Sequence, residues 1–294
     1  MNKAEQQSVI VIPLIVMIGA AIAVAGSSGG AQFGGWPVFA FCGVLSFAIN
    51  WVMFVPAFVY QTERYFDLTG SITYVTLTLV ALALTEAREP RALLLAGMVM
   101  AWAIRLGTFL FARINRDGKD GRFDNLKPSL PRYLMTWTLQ GLWVYLTLAC
   151  ALAAMTAALS KPLGAFALIG TAVFLFGFGL EIVADQQKSR FRADPQNRGR
   201  FINSGVWRWS RHPNYFGEIT LWTGVAIVGF PVLTGWQHAT LISPIFVFVL
   251  LTRISGVPLL ERRSFKQWGR DADYQAYVRE TPVLMPRPPK RRSA

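Results

Sequence analysis

Eight apolar runs constrain the fold of this chain more than any other feature. A helix needs roughly 20 apolar residues to cross the hydrocarbon core of a bilayer, and 53% of the 294 residues here are hydrophobic. The candidate spans are Ser8–Gly26, Pro37–Tyr60, Ser71–Leu84, Leu93–Phe111, Thr136–Leu159, Leu163–Val183, Tyr215–Val232 and Leu241–Leu251 extending toward Leu260. We therefore predict an all-α, polytopic transmembrane helical bundle that forms a single domain, 1–294. Because the third and the last two runs are short, both seven and eight spans remain open.

Basic residues are concentrated in three segments between or after these spans, and the net charge is +13. The segments are Ala112–Arg132, Asp185–Arg211 and the tail after Leu260. All three fall on one side of the membrane if the spans are right, and the positive-inside rule makes that side the cytoplasm. Both chain ends are then predicted to be cytoplasmic. This distribution argues against nucleic acid as the partner and favours membrane lipids.

Common nucleotide and metal motifs are absent from the sequence. It contains no Gly-rich dinucleotide fingerprint and no P-loop string, so a bound dinucleotide is not expected to lie on a Rossmann fold. The chain has only two histidines and two cysteines, and Cys42 and Cys150 both lie inside apolar runs, where we expect buried thiols. We therefore predict no metal site.

The sixth run continues into a segment whose charged residues share one helical face. They are spaced four, three and four residues apart: Glu181, Asp185, Lys188 and Arg192. Glu181 still lies within the apolar run, where a carboxylate is costly unless it has a function. The carboxylates are suited to ribose hydroxyls or a carboxamide, and the basic residues to phosphates. A salt-bridged, solvated helix end is the alternative interpretation.

Two polar segments follow this helix. The loop Pro195–Arg200 is typical of a phosphate-binding turn, and its candidate contacts are Asn197 and Arg200. Before the seventh run comes the string RHPNYFGE, Arg211–Glu218. Its candidate cofactor contacts, with one tryptophan just upstream, are Trp207, Arg211, His212, Asn214, Tyr215 and Glu218.

Three other places carry candidate polar groups. The fourth span and its exit repeat aromatic and basic residues at helical spacing: Trp102, Arg105, Phe109, Arg113 and Arg116. The tail carries Glu261 and Arg262 close to the last span, within reach of a bound ligand, on an expected amphipathic interfacial helix. The segment Gln61–Asp67 contains Glu63, Tyr65 and Asp67. If it is partly desolvated, one of its carboxyls can donate a proton or hydrogen bond to a carbonyl.

The combined pattern of the Glu181–Arg192 helix and the Asn214–Glu218 string resembles the steroid 5α-reductase family, and its bacterial members most closely. The best-matching core is 93–285. The resemblance implies NADPH as cofactor, in preference to NADH. It also implies reduction of a carbon–carbon double bond conjugated to a ketone, in a 3-oxo-Δ4-steroid or another hydrophobic enone. The implied cofactor contacts are Asn214, Glu218, Asp185, Arg192 and Arg105. The implied location is a bacterial inner membrane, with the active site opening toward the cytoplasm, and we expect a monomer.

The family mechanism transfers hydride to the enone while an acid and a tyrosine polarise the ketone oxygen. The resemblance assigns the acid to Glu63 or Asp67, with Gln61 nearby. The sequence departs from the family at the tyrosine, because that position holds Trp102. Tyr65 or Tyr74 then supplies the phenol, or the substrate is held differently.

Two other functions are compatible with parts of the pattern. A looser Arg-His-Pro-x-Tyr form occurs in isoprenylcysteine carboxyl methyltransferases, which use S-adenosylmethionine. That cofactor carries no phosphate and needs few arginines, whereas NADPH carries several phosphates. A lipid-binding or transport protein is the third possibility, and it requires no such polar clusters.

Overall fold

A computed structural model describes residues 1–85 and 89–289 of the chain. Ten α-helices are present in these ranges: α1 Lys3–Gly26, α2 Val38–Val59, α3 Phe66–Leu84, α4 Pro90–Asp117, α5 Leu130–Met155, α6 Ala165–Ala193, α7 Pro213–Gly229, α8 Ile242–Val249, α9 Val257–Trp268 and α10 Ala272–Glu280. A two-stranded hairpin, β1 Gln32–Phe33 and β2 Trp36–Pro37, joins α1 to α2. Gly34 and Gly35 make its turn at φ of 56° and 82°, where glycine avoids a steric clash.

All eight predicted spans are confirmed as helices long and apolar enough to cross a membrane. The last of them, Gly235–Trp268, combines a 3₁₀ turn, α8, the π-helical segment Leu250–Ile254 and α9. The protein is therefore an all-α polytopic membrane protein with eight candidate spans in the described residues. The positions of the chain ends relative to the membrane stay a prediction.

Several helices extend beyond the apolar runs into polar sequence. The α3 helix begins at Phe66 rather than Ser71, so Asp67 lies in its first turn, where a carboxylate is stabilised by the helix dipole. The expectation that Asp67 lies in a segment before this helix was wrong. Similarly, α4 continues to Asp117 and includes Arg113 and Arg116. The tail forms two helices, α9 and α10, instead of one.

The chain divides into two compact units. Unit 1 comprises Met1–Leu168 and Val225–Ser243, and unit 2 comprises Ile169–Gly224 and the chain from Pro244 onward. In unit 1, α5 is the central helix, since 89% of its apolar window is buried, and it packs against α1, α2, α3 and α4. Unit 2 contains most of α6 and α7 together with α9 and α10.

Candidate functional site

In unit 2, the helices α6 and α7 approach each other closely because glycines lie at their contact. A Cβ atom on Gly217 would lie 2.6 Å from the carbonyl oxygen of Gly177 and 2.8 Å from the backbone nitrogen of Glu181. Two turns further along α7, a Cβ on Gly224 would lie 2.5 Å from the backbone nitrogen of Phe174. The two backbones therefore touch directly, as in the small-residue packing typical of membrane helices.

This close packing places polar groups of the two helices side by side. Glu181 and Asp185 lie one turn apart on α6 and are only 2% and 7% exposed. The side-chain amide of Asn214, in the first turn of α7, donates a hydrogen bond to Oδ1 of Asp185 at 3.3 Å. Burying carboxylates in an apolar segment costs several kcal/mol unless they are paired or hydrogen-bonded. Carboxylates that are present in an apolar segment despite this cost are typical of binding sites.

The loop before α7 is held against α6 by three contacts. The indole N–H of Trp207 donates to the carbonyl of Ala184 at 3.0 Å. The Nζ atom of Lys188 lies 4.4 Å from the centroid of the Trp207 ring, within the range of a cation–π interaction. The backbone N–H of Val206 donates to Oε1 of Gln187 at 2.9 Å. Sequence reasoning missed Gln187, because a lone amide on a helix gives no signal of a distant partner.

Glu261, on α9, joins two residues of the Arg211–Glu218 string. Nη1 of Arg211 donates to Oε2 of Glu261 at 2.6 Å, and Nε2 of His212 lies 2.8 Å from Oε1. Burial lowers the pKa of His212, and its hydrogen bond to Glu261 opposes this shift only in part. The neutral ring therefore carries its proton on Nε2, since a carboxylate only accepts. The ring stacks on Tyr215, with centroids 5.5 Å apart.

The chain after α10 is fixed to the same string through the backbone. The N–H of Arg211 donates to the carbonyl of Pro282, and the N–H of Arg287 donates to the carbonyl of Trp209, both at 2.9 Å. The hydroxyl of Ser210 donates to the carbonyl of Leu284 at 2.7 Å. The C-terminal segment therefore holds the loop that leads into Asn214.

The remaining unit 2 candidates lie toward the polar ends of the helices. Glu218 is half-buried on α7, while Arg192 and Arg262 are exposed on α6 and α9. Asn197 and Arg200 line a cavity of about 840 Å³. The structure thus brings Asp185 and Asn214 into direct contact, and it joins Arg211 and His212 through Glu261.

In unit 1, Glu63 is fixed by contacts with the connection between α4 and α5. It is 6% exposed, and its Oε1 accepts a hydrogen bond from the backbone N–H of Asp120 at 2.8 Å. Its Oε2 forms an ion pair with Lys127. Both carboxylate oxygens are therefore engaged. Gln61, two residues earlier, turns the chain at a φ of 51°, and its amide donates to the carbonyl of Phe58.

Asp67 has a different environment from Glu63. Its Oδ2 lies 3.5 Å from Nη2 of Arg113, and its side chain is 29% exposed. Within the described part of the chain, Oδ1 has no hydrogen-bond partner. Tyr65, just before α3, is 44% exposed and stacks on Phe111 with ring centroids 6.3 Å apart.

Trp102, which stands where the resemblance leads us to expect a tyrosine, lies against Tyr74. Trp102 on α4 and Tyr74 on α3 are 2% and 5% exposed, and their rings meet edge to face at 5.1 Å. On the same helix as Trp102, the guanidinium carbon of Arg105 lies 5.2 Å from the ring centroid of Phe109. Arg116 pairs with its exposed neighbour Asp117 at 2.9 Å.

The glycine contact between α6 and α7 gives a first testable prediction. Replacing Gly217 with Ala inserts a methyl group against backbone atoms, and we expect a loss of about 2–3 kcal/mol in stability. Gly179 on α6 is the matched control, since a Cβ there meets nothing within 4 Å. Thermal unfolding of both variants in detergent measures the difference. Equal melting temperatures for the two variants would show that α6 and α7 do not pack through Gly217.

Comparison with known proteins places the chain in a family. Residues 53–281 match the family DUF1295, whose description is "protein of unknown function". This family is related to steroid 5α-reductase-like membrane proteins. The chain is also 28% identical, over 196 residues, to an uncharacterized protein of Schizosaccharomyces pombe. The aligned region covers 56% of this chain and 57% of that protein, less than two thirds of its length. No solved structure matches the chain. Because the family match runs from α2 to the end of α10, this integral membrane protein belongs to the DUF1295 family.

Proposed function

We propose that the protein reduces the carbon–carbon double bond of a hydrophobic enone, such as a 3-oxo-Δ4-steroid, with NADPH. The observation that carries this proposal is the contact between the buried Asp185 and the half-buried Asn214 at the glycine-packed crossing of α6 and α7. The relation of DUF1295 to steroid 5α-reductase-like membrane proteins gives the contact its chemical interpretation. We place the protein in a bacterial inner membrane, with its polar clusters toward the cytoplasm.

The donor set of unit 2 fits a phosphorylated dinucleotide. The Asp185 carboxylate and the Asn214 amide can bind ribose hydroxyls or a carboxamide, which need both donors and acceptors. Lys188, Arg192 and Arg200 can bind phosphates, for which guanidinium groups give strong charge-assisted hydrogen bonds. When bound, NADPH would supply the hydride to the β-carbon and water would supply the proton to the α-carbon, while the protein supplies orientation and electrostatic stabilisation.

We assign the acid that polarises the ketone to Asp67 rather than Glu63. Both oxygens of Glu63 are already engaged, by Lys127 and by the backbone of Asp120. Asp67 is more exposed and keeps its Oδ1 atom available. When it is protonated, the Asp67 carboxyl can donate a hydrogen bond to the ketone oxygen and stabilise the negative charge that develops there.

We further assign the phenol that assists the acid to Tyr74. It lies seven residues after Asp67, two turns along the same face of α3. Helical side chains lean toward the N-terminus of their helix, which directs the Tyr74 phenol toward the Asp67 end. Its edge-to-face contact with Trp102 fixes the ring orientation.

An apolar groove between α3 and α4, whose lining begins at Leu68, suits a lipid-soluble substrate. It has a volume of about 240 Å³ and is lined by α3 and α4, including Leu68, Ile72, Val75 and Ile104. Gly107 also lines the groove. A Cβ at this position would lie 2.5 Å from the side chain of Ser71, so α3 and α4 approach closely here. Apolar lining with few polar groups is typical of sites for hydrophobic ligands.

Thermal stability in detergent tests the choice of cofactor. A ligand present at 100 times its Kd stabilises the folded state by about 2.7 kcal/mol. We expect NADPH to raise the melting temperature and S-adenosylmethionine to leave it unchanged. Stabilisation by S-adenosylmethionine alone would contradict the proposal and favour a methyltransferase.

A further inference from the structure

We propose that one face of α9 is a binding surface for the headgroups of anionic phospholipids. This outward face is formed by Leu259, Arg262, Arg263 and Lys266, all of which are exposed. A helix can lie at a membrane surface without selecting a headgroup, whereas the charges on this face select one. Arg262, a candidate cofactor contact in the sequence, is thereby assigned to the lipid. The inference does not depend on the proposed reaction, because it concerns the lipid around the protein.

The α9 helix is a separate polar helix that begins where the last apolar run ends. The π-helical segment Leu250–Ile254 closes with a hydrogen bond from the N–H of Ser255 to the carbonyl of Leu250, at 2.9 Å. Gly256 then precedes α9, and Pro258 lies in its first turn, where the missing N–H costs no helical hydrogen bond. Four of the 12 residues of α9 are charged. A polar, basic helix directly after an apolar span is typical of the membrane surface.

The opposite, inward face of α9 is fixed to unit 2 by polar contacts. Glu261 binds both Arg211 and His212. Two turns later, the indole N–H of Trp268 donates to the carbonyl of Gly199 at 2.6 Å. Glu261 and Trp268 are seven residues apart and therefore lie on the same side of the helix. These contacts set the orientation of α9 and leave its other side to the surroundings.

The outward face carries positive charge that the protein does not neutralise. Arg262, Arg263 and Lys266 have three- and four-residue spacing, so they are neighbours on one helical face, where like charges repel. Glu261 is the acidic residue of α9, and it is engaged on the inward side. Within residues 1–85 and 89–289, no carboxylate lies within 4.0 Å of any of the three cationic groups. An anionic headgroup would relieve the repulsion between these cations.

Exposed apolar side chains accompany the three cations. Leu259 on the outward face is 38% exposed, Phe265 at its edge is 68% exposed, and Ile254 just before the helix is 56% exposed. Such side chains are more stable among acyl chains than in water. A phospholipid supplies a phosphate for the cations and acyl chains for the apolar groups, whereas a free phosphate ion supplies only the first. The combination therefore favours a lipid as the ligand of this surface.

The experiment titrates the full-length protein in detergent with phosphatidylglycerol or phosphatidylcholine of the same acyl chains and counts bound lipids by native mass spectrometry. The parent protein is expected to bind the anionic lipid at least tenfold more tightly. The double variant Arg263→Gln/Lys266→Gln should lose on the order of 20-fold in affinity for phosphatidylglycerol, since each basic residue near an anionic surface contributes about fivefold. Its affinity for phosphatidylcholine should stay within about twofold. Arg190→Gln/Arg279→Gln removes two exposed cations of unit 2 that lie outside α9 and should behave as the parent.

Two further measurements separate the effect of charge from an effect on folding. The charge-conserving double variant Arg263→Lys/Lys266→Arg should bind both lipids as the parent does. In the parent itself, the preference for phosphatidylglycerol should fall as the salt concentration rises, because salt screens exposed charges. Equal binding of the two lipids by the parent, equal losses in the α9 and control double variants, or displacement of the lipid by glycerol phosphate at the same concentration would overturn the inference. None of these results depends on NADPH, so the proposed function stands or fails separately.

Discussion

Replacing Asp67 with Asn is expected to lower the turnover of an enone substrate by ~10²–10³-fold, the usual cost of removing a group that stabilises developing charge. Affinity for NADPH should stay within about twofold of the parent value, because the group acts on the substrate ketone. The measurement is NADPH oxidation by purified protein with an enone steroid, together with binding of NADPH to the same preparation.

Glu63→Gln is the matched control, and its effect should be on stability. The substitution leaves Lys127, whose side chain is 15% exposed, beside a neutral amide and with the carboxylate of Asp124 4.0 Å away. Removing one partner of a largely buried ion pair costs up to about 3 kcal/mol, so the melting temperature should fall. If Glu63→Gln instead keeps its stability and loses turnover while Asp67→Asn remains active, the two carboxylates have the opposite roles.

The second large effect is expected at the start of α7. Asn214→Ala removes the donor to Asp185 and leaves that buried carboxylate without this hydrogen bond. Glu218→Gln removes a charge one helical turn further along. Each substitution should weaken NADPH binding by roughly 10-fold or more, since hydrogen bonds to charged groups contribute about 1.5–3 kcal/mol.

Thr223→Val is the control for these two variants. Among residues 1–85 and 89–289, the Thr223 hydroxyl donates only to the carbonyl of Ile219 in its own helix, so its loss should change neither folding nor binding. Normal NADPH binding by both Asn214→Ala and Glu218→Gln would show that the string before α7 has a structural role, and the reductase assignment would lose its main support.

The sequence predicted the helices well because length and apolarity decide membrane insertion locally. All eight spans were found, and the helical face from Glu181 to Arg192 lies on α6 as expected. The polar ends were harder to predict. The α3 helix starts at Phe66, because a chain that leaves the apolar core can continue its helix without an apolar signal.

The long-range contacts could not be predicted from periodicity. Glu63 and Lys127 are 64 residues apart, and no local pattern links them. The contact of Gly217 with Gly177 depends on the crossing of two helices. The attachment of the C-terminal segment to the Arg211–Glu218 string uses backbone groups, which every residue carries. These contacts therefore became visible only in three dimensions.

The most direct measurement of the central proposal is the transfer of deuterium from NADPH that carries deuterium in place of both C4 hydrogens of its nicotinamide. The purified protein is incubated with the labelled cofactor and an enone steroid, and the product is examined by mass spectrometry. The proposed mechanism predicts a saturated ketone that carries the deuterium at its β-carbon, with matching oxidation of NADPH and strong loss of product in Asp67→Asn. A saturated product without deuterium, or no product across a panel of enones although NADPH binds, would contradict it.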